Sequence, residues 1–253
     1  MWAKRIATLS QGVWTPSIIV GSTALWLDAA DAATITHSSG AVSAWRNKGV
    51  DGSSWNQATG TAQPTYSATG FDGARPAITS DGTSDFLQGT LAAVAQPMSV
   101  FMVLSNYTGG VTDANLYRGA TDSSGAVGYR AGGGAVWSMF GGAVLSGAGP
   151  YTAGAAIRED FYNGTGSALR RDGGAAELTG DAGTTGIAAG AFNVMLGVTG
   201  NGRFAALRLG EMLIVRSPST DTRDRITGYL AWKWGLQGNL PAGHPFRNAP
   251  PRV

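Results

Sequence analysis

The chain has no cysteine, only two histidines and three glutamates, and 13% charged residues in a length of 253. Without thiols there are no disulfides, no thiolate metal sites and no cysteine nucleophile. Lysine and arginine (18) nearly balance aspartate and glutamate (16), giving a formal charge of +2. That balance implies no strong attraction to nucleic acid, despite a pI near 9.0. No run of about 18 apolar residues occurs, so no spanning helix and no membrane insertion are expected. The start, MWAKRIATLSQG, carries early positive charge, but Ser10, Gln11 and Gly12 interrupt any apolar core of a secretory leader. It reads as having no signal peptide.

The scarcity of acids also limits catalysis. Glycoside hydrolysis uses two carboxylates at a set separation. Glu159, Glu177 and Glu211 form no alternating acid run, and the neighbours Glu159 and Asp160 would face opposite sides of a strand. No G-x-S-x-G elbow accompanies His37 or His244. Ala131-Gly132-Gly133-Gly134 lacks the lysine of a phosphate loop. No catalytic residue is assigned, and the chain reads as a non-enzyme.

What is present is glycine, 39 residues of it, spaced among short apolar and β-branched runs. MSVFMVLSNY, with Val100, Met102 and Leu104 on one side and Phe101 and Val103 on the other, predicts a strand buried on both faces. NLYRGA, AVGYRAGG, AVWSMFGG and AVLSG each predict a short strand ended by glycine. Asn163-Gly164 and Asn201-Gly202 predict hairpin turns. Residues 51–69, punctuated by Gly and Pro, read as loop or edge structure. Strands every 8–12 residues predict an all-β sandwich or barrel.

One helix is predicted, near the end. Asp221 is placed at its cap, and Ile226, Tyr229, Leu230 and Trp234 fall on one face. Gly235 or Gly238 would stop it. Lys233 is expected to snorkel outward from that stripe. Trp232 lies off the stripe, where the tail around His244-Pro245-Phe246 can fold back over it. The chain divides into an N-terminal arm, residues 1–22, for docking or oligomerisation, a sandwich, residues 23–218, and a helix with tail, residues 219–253.

Sugar recognition uses an aromatic face with amide hydrogen bonds. Trp55 with Asn56 and Gln57, and Trp137 with Tyr129, are the candidate carbohydrate contacts. No cofactor is called for. Calcium is the one cation with candidate ligands: Asp28 with Asp31, or Asp81 with Asp85, each offer two hard oxygens. Two carboxylates make an incomplete set, and Asx-turn or capping use is the competing reading.

The pieces LWLDAADAATIT, AVSAWRNKG, SDGTSDFL, MSVFMVL, the YNG turn and NGRFAALRLGEMLIVRSPSTDTRDRITGYLAWKWGL with its HPF tail together resemble a known family. It is the laminin-G-like branch of the concanavalin A-like lectin/glucanase superfamily, as found in bacteriophage capsid-decoration, head-fibre and tail proteins. The resemblance runs from about Thr23 onward. It implies a two-sheet antiparallel jelly-roll sandwich with one C-terminal α-helix, and a non-enzymatic role in binding or adhesion. Host-surface glycans and virion or capsid proteins would be its partners, the virion surface its location, and a homo-oligomer its state. Polysaccharide processing and a purely structural, shell-cementing role remain as other readings.

Overall fold

A computed structural model describes residues 12–108, 114–119, 127–131, 136–148, 154–195 and 204–253. The Asn201-Gly202 turn and residues 1–11 of the expected arm lie outside them. The described chain is an antiparallel β-sandwich of two layers with a single α-helix, α1 (Thr220–Trp234), on one outer face. No described helix is long and apolar enough to cross a membrane.

The first layer is centred on two eleven-residue strands, β8 (Met98–Thr108) and β17 (Ala206–Arg216). Outside β8 come β13 (Ala156–Tyr162), β14 (Ser167–Arg171) and β15 (Ala176–Gly180). Along the far edge of β17 lie β6 (Ala77–Asp81) and β1 (Thr23–Asp28), which share that edge end to end. The second layer runs β2 (Ile35–Ser38), β3 (Ala41–Arg46), β4 (Ser54–Asn56), β7 (Leu87–Leu91), β16 (Gly190–Val194), β9 (Ala114–Gly119), β10 (Val127–Ala131), β11 (Val136–Phe140) and β12 (Val144–Ala148). A short strand, β5 (Thr65–Ser67), pairs with both β3 and β6 and so joins the layers. The predicted turn at Asn163-Gly164 does connect β13 to β14, as a single 3-10 turn over Gly164–Gly166.

The alternation along β13 shows how the layers meet. Arg158, Asp160 and Tyr162 point between the sheets, where Tyr117 of β9 donates its hydroxyl to Asp160 Oδ2 (2.5 Å) and Arg158 Nη2 donates to the Ser138 carbonyl of β11 (2.8 Å). Glu159 and Phe161 point the other way, to α1, where Arg223 pairs with the Glu159 carboxylate and stacks over Phe161. Central strands covered on both faces explain the unbroken apolar run of β8.

Helix α1 buries the expected face, Ile226, Tyr229, Leu230 and Trp234. Its cap differs from the expectation. Ser219 accepts the Thr222 amide (3.1 Å) with its hydroxyl, while Asp221 sits in the first turn and pairs with Arg225 (2.8 Å). A seryl oxygen one residue ahead of the helix reaches that amide, whereas Asp221 is already inside. Gly235 ends the helix with φ of +70°, a backbone that a side chain would strain. The tail returns over Trp232, whose indole N–H donates to the Phe246 carbonyl (2.8 Å).

Residues 12–22 are packed into the domain. Trp14 is buried edge-on against Tyr229 (6.4 Å between ring centres), and its amide donates to the Pro251 carbonyl (2.9 Å).

Candidate functional site

With α1 laid on the first layer, the outer side of the second is open over β4 and β7 and buried at Asn193 of β16 and along β9. Cross-strand pairing sets one row of polar side chains across it: Asn56 on β4 faces Gln88 on β7, Gln88 faces Asn193 on β16, and Asn193 faces Arg118 on β9. Residues directly opposite one another in a ladder share a face. The alternate positions, Trp55, Leu87, Gly89 and Phe192, therefore turn inward and are fully buried or nearly so. Gln88 Nε2 donates to Asn193 Oδ1 (2.8 Å), which orders the row; Asn56 and Gln88 stand exposed at one end of it, whereas Asn193 and Arg118 are buried at the other. Arg46 and Ser54 lie two positions along on β3 and β4. None of the nine strands of this layer contains Asp or Glu. Its exposed part offers the amide donors and acceptors of Asn56 and Gln88 and the positive charge of Arg46.

The carboxylates are concentrated in the first layer and are engaged there. Asp28 and Glu211 face each other across β1 and β17. Lys233 lies between them, 2.6 Å from Asp28 Oδ1 and 2.7 Å from Glu211 Oε2. Lys233 thus turns inward, contrary to the expected outward path, because two buried carboxylates need a cation more than the ammonium needs water. Glu211 also accepts from the indoles of Trp26 (2.7 Å) and Trp234 (2.8 Å). Burial, with the Asp28 charge adding to it, raises the Glu211 carboxyl above its usual range against the pull of Lys233. Asp28 is held low: burial would raise it, but Lys233 and Lys48 together outweigh that cost.

A further groove of about 420 Å³ lies at one end of the sandwich, among Ala95, Gln96, Pro97, Asn163, Thr184 and Gly186. Gln96 ties its walls together, accepting from the Gly164 amide (2.7 Å) and donating to the Gly183 and Thr185 carbonyls. Its volume is in the range of small-ligand sites. It has neither an aromatic face nor a charged group.

No family model matches the sequence, and no curated protein is similar to it at a meaningful level. Solved structures do match. A GH54 α-L-arabinofuranosidase aligns with a TM-score of 0.55 at 14% identity, over 74% of this chain and 50% of that one. The Trypanosoma rangeli sialidase aligns at 0.55 and 10%, over 92% and 35%. The binding domain of a botulinum neurotoxin of serotype D/C aligns at 0.53 and 9%, over 84% and 53%. What they share with this chain is the β-sandwich fold. The chain spans between about a third and about a half of the length of these proteins.

Against that sandwich the sequence-derived candidates separate. Trp55 is buried on β4, not on a loop, and it lies so close over Gly89 that any side chain there would meet the indole. Its N–H donates to the Phe192 carbonyl (3.1 Å), so it has no face for a sugar. Gln57 is also buried, donating to the Phe86 carbonyl (3.3 Å) and accepting from the Thr59 amide (3.0 Å). Only Asn56 of that trio stands on the open face. Trp137 is buried on β11, with the Arg158 guanidinium 4.3 Å from its ring centre. Tyr129 sits on β10 opposite Ser138, and its side chain lies outside the described residues.

The proposed calcium ligands have other partners. Asp28 and Asp31 both bind Lys48 (2.8 and 3.0 Å), so an ammonium holds the position a cation would take. Asp81 Oδ1 accepts the amides of Thr83 (2.8 Å), Ser84 (2.9 Å) and Asp85 (3.1 Å) in an Asx turn. Asp85 in return accepts the Asp81 amide (3.1 Å). Among the described residues no three His, Cys, Asp or Glu side chains group as a metal site would need. Gln88 and Asn193 were not singled out from the sequence, since only strand register brings them beside Asn56.

Proposed function

We propose that this sandwich binds carbohydrate without cleaving it, and that the ligand lies along Asn56 and Gln88 on the open part of the second layer's outer face, with the buried Asn193 holding Gln88 in place. The observation that carries the reading is the amide row itself. Amides donate and accept at once, which suits hydroxyl-rich ligands, and the exposed Gln88 is pre-ordered by its hydrogen bond to the buried Asn193. The charge inventory of the face favours neutral or acidic sugars. The non-catalytic half of the reading is supported by the engagement of Asp28, Glu159, Asp160 and Glu211 in buried ion pairs. Solved proteins of like fold include glycan-active enzymes and a toxin binding domain.

The test is affinity electrophoresis in gels cast with bacterial surface polysaccharides. The wild-type chain is expected to be retarded by at least one. Asn56→Ala with Gln88→Ala should weaken that interaction about thirtyfold, taking about 1 kcal/mol for each amide contact, with an unchanged melting temperature. Undiminished retardation of the double variant would overturn the assignment of the face.

The setting we propose is a phage particle, with virion or capsid proteins as the other partners and host-surface glycans as the ligand. The sequence resemblance to phage virion proteins supports it. Because residues 12–22 pack into the domain, the informative deletion is of residues 1–11 alone. Full incorporation of that truncated chain into particles would remove the docking role from the arm.

One observation favours polysaccharide processing as a second reading. Asp81 and Asp85 form a neighbouring carboxylate pair with opposed shifts. Burial and then the Asp81 charge push Asp85 up to about 6. Asp81 is lowered, because the amides of Ser84, Thr83 and Asp85 outweigh its partial burial. Divergent acids are a pattern of acid–base catalysis. New reducing ends released by the wild type and lost in Asp85→Asn would favour this reading over binding alone.

A further inference from the structure

Asp28, Glu211 and Lys233 come together from three elements and take no part in the glycan face. Asp28 ends β1, Glu211 faces it from β17, and Lys233 stands in the last turn of α1. Lys233 Nζ touches a carboxylate oxygen of each acid, and both acids are buried. Aromatic side chains close the cluster. The indoles of Trp26 and Trp234 donate to opposite oxygens of Glu211, and the Tyr229 hydroxyl lies 3.2 Å from Glu211 Oε1 and 3.0 Å from Lys233 Nζ. Asp28 is held at both ends: Oδ1 also accepts the Ala30 amide (3.0 Å), and Oδ2 accepts from Lys48 (2.8 Å). An amine in contact with a fixed carboxyl, and a second carboxyl in contact with that amine, are the parts that an amide condensation needs.

We propose that Lys233 and Asp28 condense into an isopeptide bond, Nζ to Cγ, with Glu211 as the proton carrier. One proton of the ammonium passes to Glu211 Oε2, and the freed lone pair of Nζ attacks Asp28 Cγ. Lys48 on Oδ2 offsets the negative charge that gathers there during attack. The Cγ–Oδ1 bond then breaks, and Oδ1 leaves as water with the two protons that Nζ has given up, both relayed by Glu211. One ammonium and one carboxylate thus become one amide and one water, with no net charge on either side. Burial, with the Asp28 charge adding to it, raises the Glu211 carboxyl, which makes its anion a stronger base than a free carboxylate. Three things favour the bond over the ion pair. Contact between the partners is worth an effective molarity of about 10⁵–10⁸ M in well-oriented cases. Burial penalises the charged reactants but not the neutral amide. No charge is stranded either, because Lys48 keeps Asp31 (3.0 Å) and Glu211 keeps its indole donors.

The product ties the last turn of α1 to β1 across 205 positions of chain, so the helix cannot leave the first layer. It uses none of the glycan face, so this inference and the binding reading can fail separately. Intact-mass spectrometry of the denatured full chain tests it, and in the wild type the result depends on no variant folding. The wild type is expected to be one water lighter than its sequence. Trypsin should release one branched peptide joining residues 6–46 to residues 226–247, uncut after Lys233. Lys233→Met should return to the full sequence mass. Glu211→Gln, shown by circular dichroism to be folded, should also stay at full mass with Lys233 and Asp28 unlinked. A folded wild type that keeps its full mass on prolonged incubation would overturn the proposal. So would a water loss that persists in Lys233→Met without a branched peptide, as a succinimide at an Asp-Gly step gives. A folded Glu211→Gln that links as fast as the wild type would remove Glu211 from the reaction.

Discussion

At the scale of single residues, the charges in this sandwich respond to pH in opposite directions. Asp85 holds its proton up to about pH 6 in the folded chain, whereas an unfolded aspartate titrates near about 3.9. The unfolded state therefore ionises first as pH rises. The stability that Asp85 contributes is whole below about pH 4 and is lost by about pH 6. Asp28 is depressed, so its contribution is present above the usual carboxylate pKa and is lost on acidification. Asp85→Asn should flatten the fall in melting temperature between pH 4 and 6, and should melt above the wild type at neutral pH. A thermal scan across that range decides it, and a wild-type-like slope in the variant would contradict the assignment. Lys233 is the sharper case. Lys233→Met leaves Asp28 and Glu211 facing each other with one cation fewer, and should cost about 3–5 kcal/mol in urea denaturation.

At the scale of elements, helix α1 was largely legible and its chemistry was not. Spacing alone gave Ile226, Tyr229, Leu230 and Trp234 as the buried face, because a 3.6-residue period is a local property. The inward turn of Lys233 depends on Asp28, 205 positions away, and no local pattern carries that information. The same physics explains the site. Trp55 and Asn56 are adjacent in sequence and look alike as members of a polar loop, yet a three-residue strand sends one into the core and the other to the open face. Gln88 and Asn193 join Asn56 only through register, which sequence periodicity does not fix between distant strands. The cap of α1 offers a test at this scale. Ser219→Ala should destabilise the domain by about 1 kcal/mol by orphaning the Thr222 amide, while Asp221→Ala, whose pair with Arg225 is exposed, should cost little.

At the scale of the molecule, the two layers are joined by a charged network as well as by apolar packing. Arg158 makes two hydrogen bonds to Asp160 (2.7 and 2.9 Å), and Tyr117 links to both Asp160 and Tyr162 (2.9 Å between hydroxyls), all of them buried. Burial, followed by the Asp160 charge, raises both phenols well above their ordinary range, so they stay protonated and can donate. Because β13 carries this network on one side and the Glu159–Arg223 pair on the other, the second layer, the first layer and α1 are coupled through a single strand. Asp160→Asn leaves the Arg158 charge buried without its partner, a change expected to cost about 3–5 kcal/mol. Against a typical total of about 5–15 kcal/mol, that is a large share of the fold. If β13 couples the parts, the variant should lose near- and far-ultraviolet circular dichroism together in one transition at lower temperature. Adding Arg158→Met should recover part of the loss by removing the stranded charge. Separate transitions would instead mean that the first layer with α1 holds together after the second layer has gone.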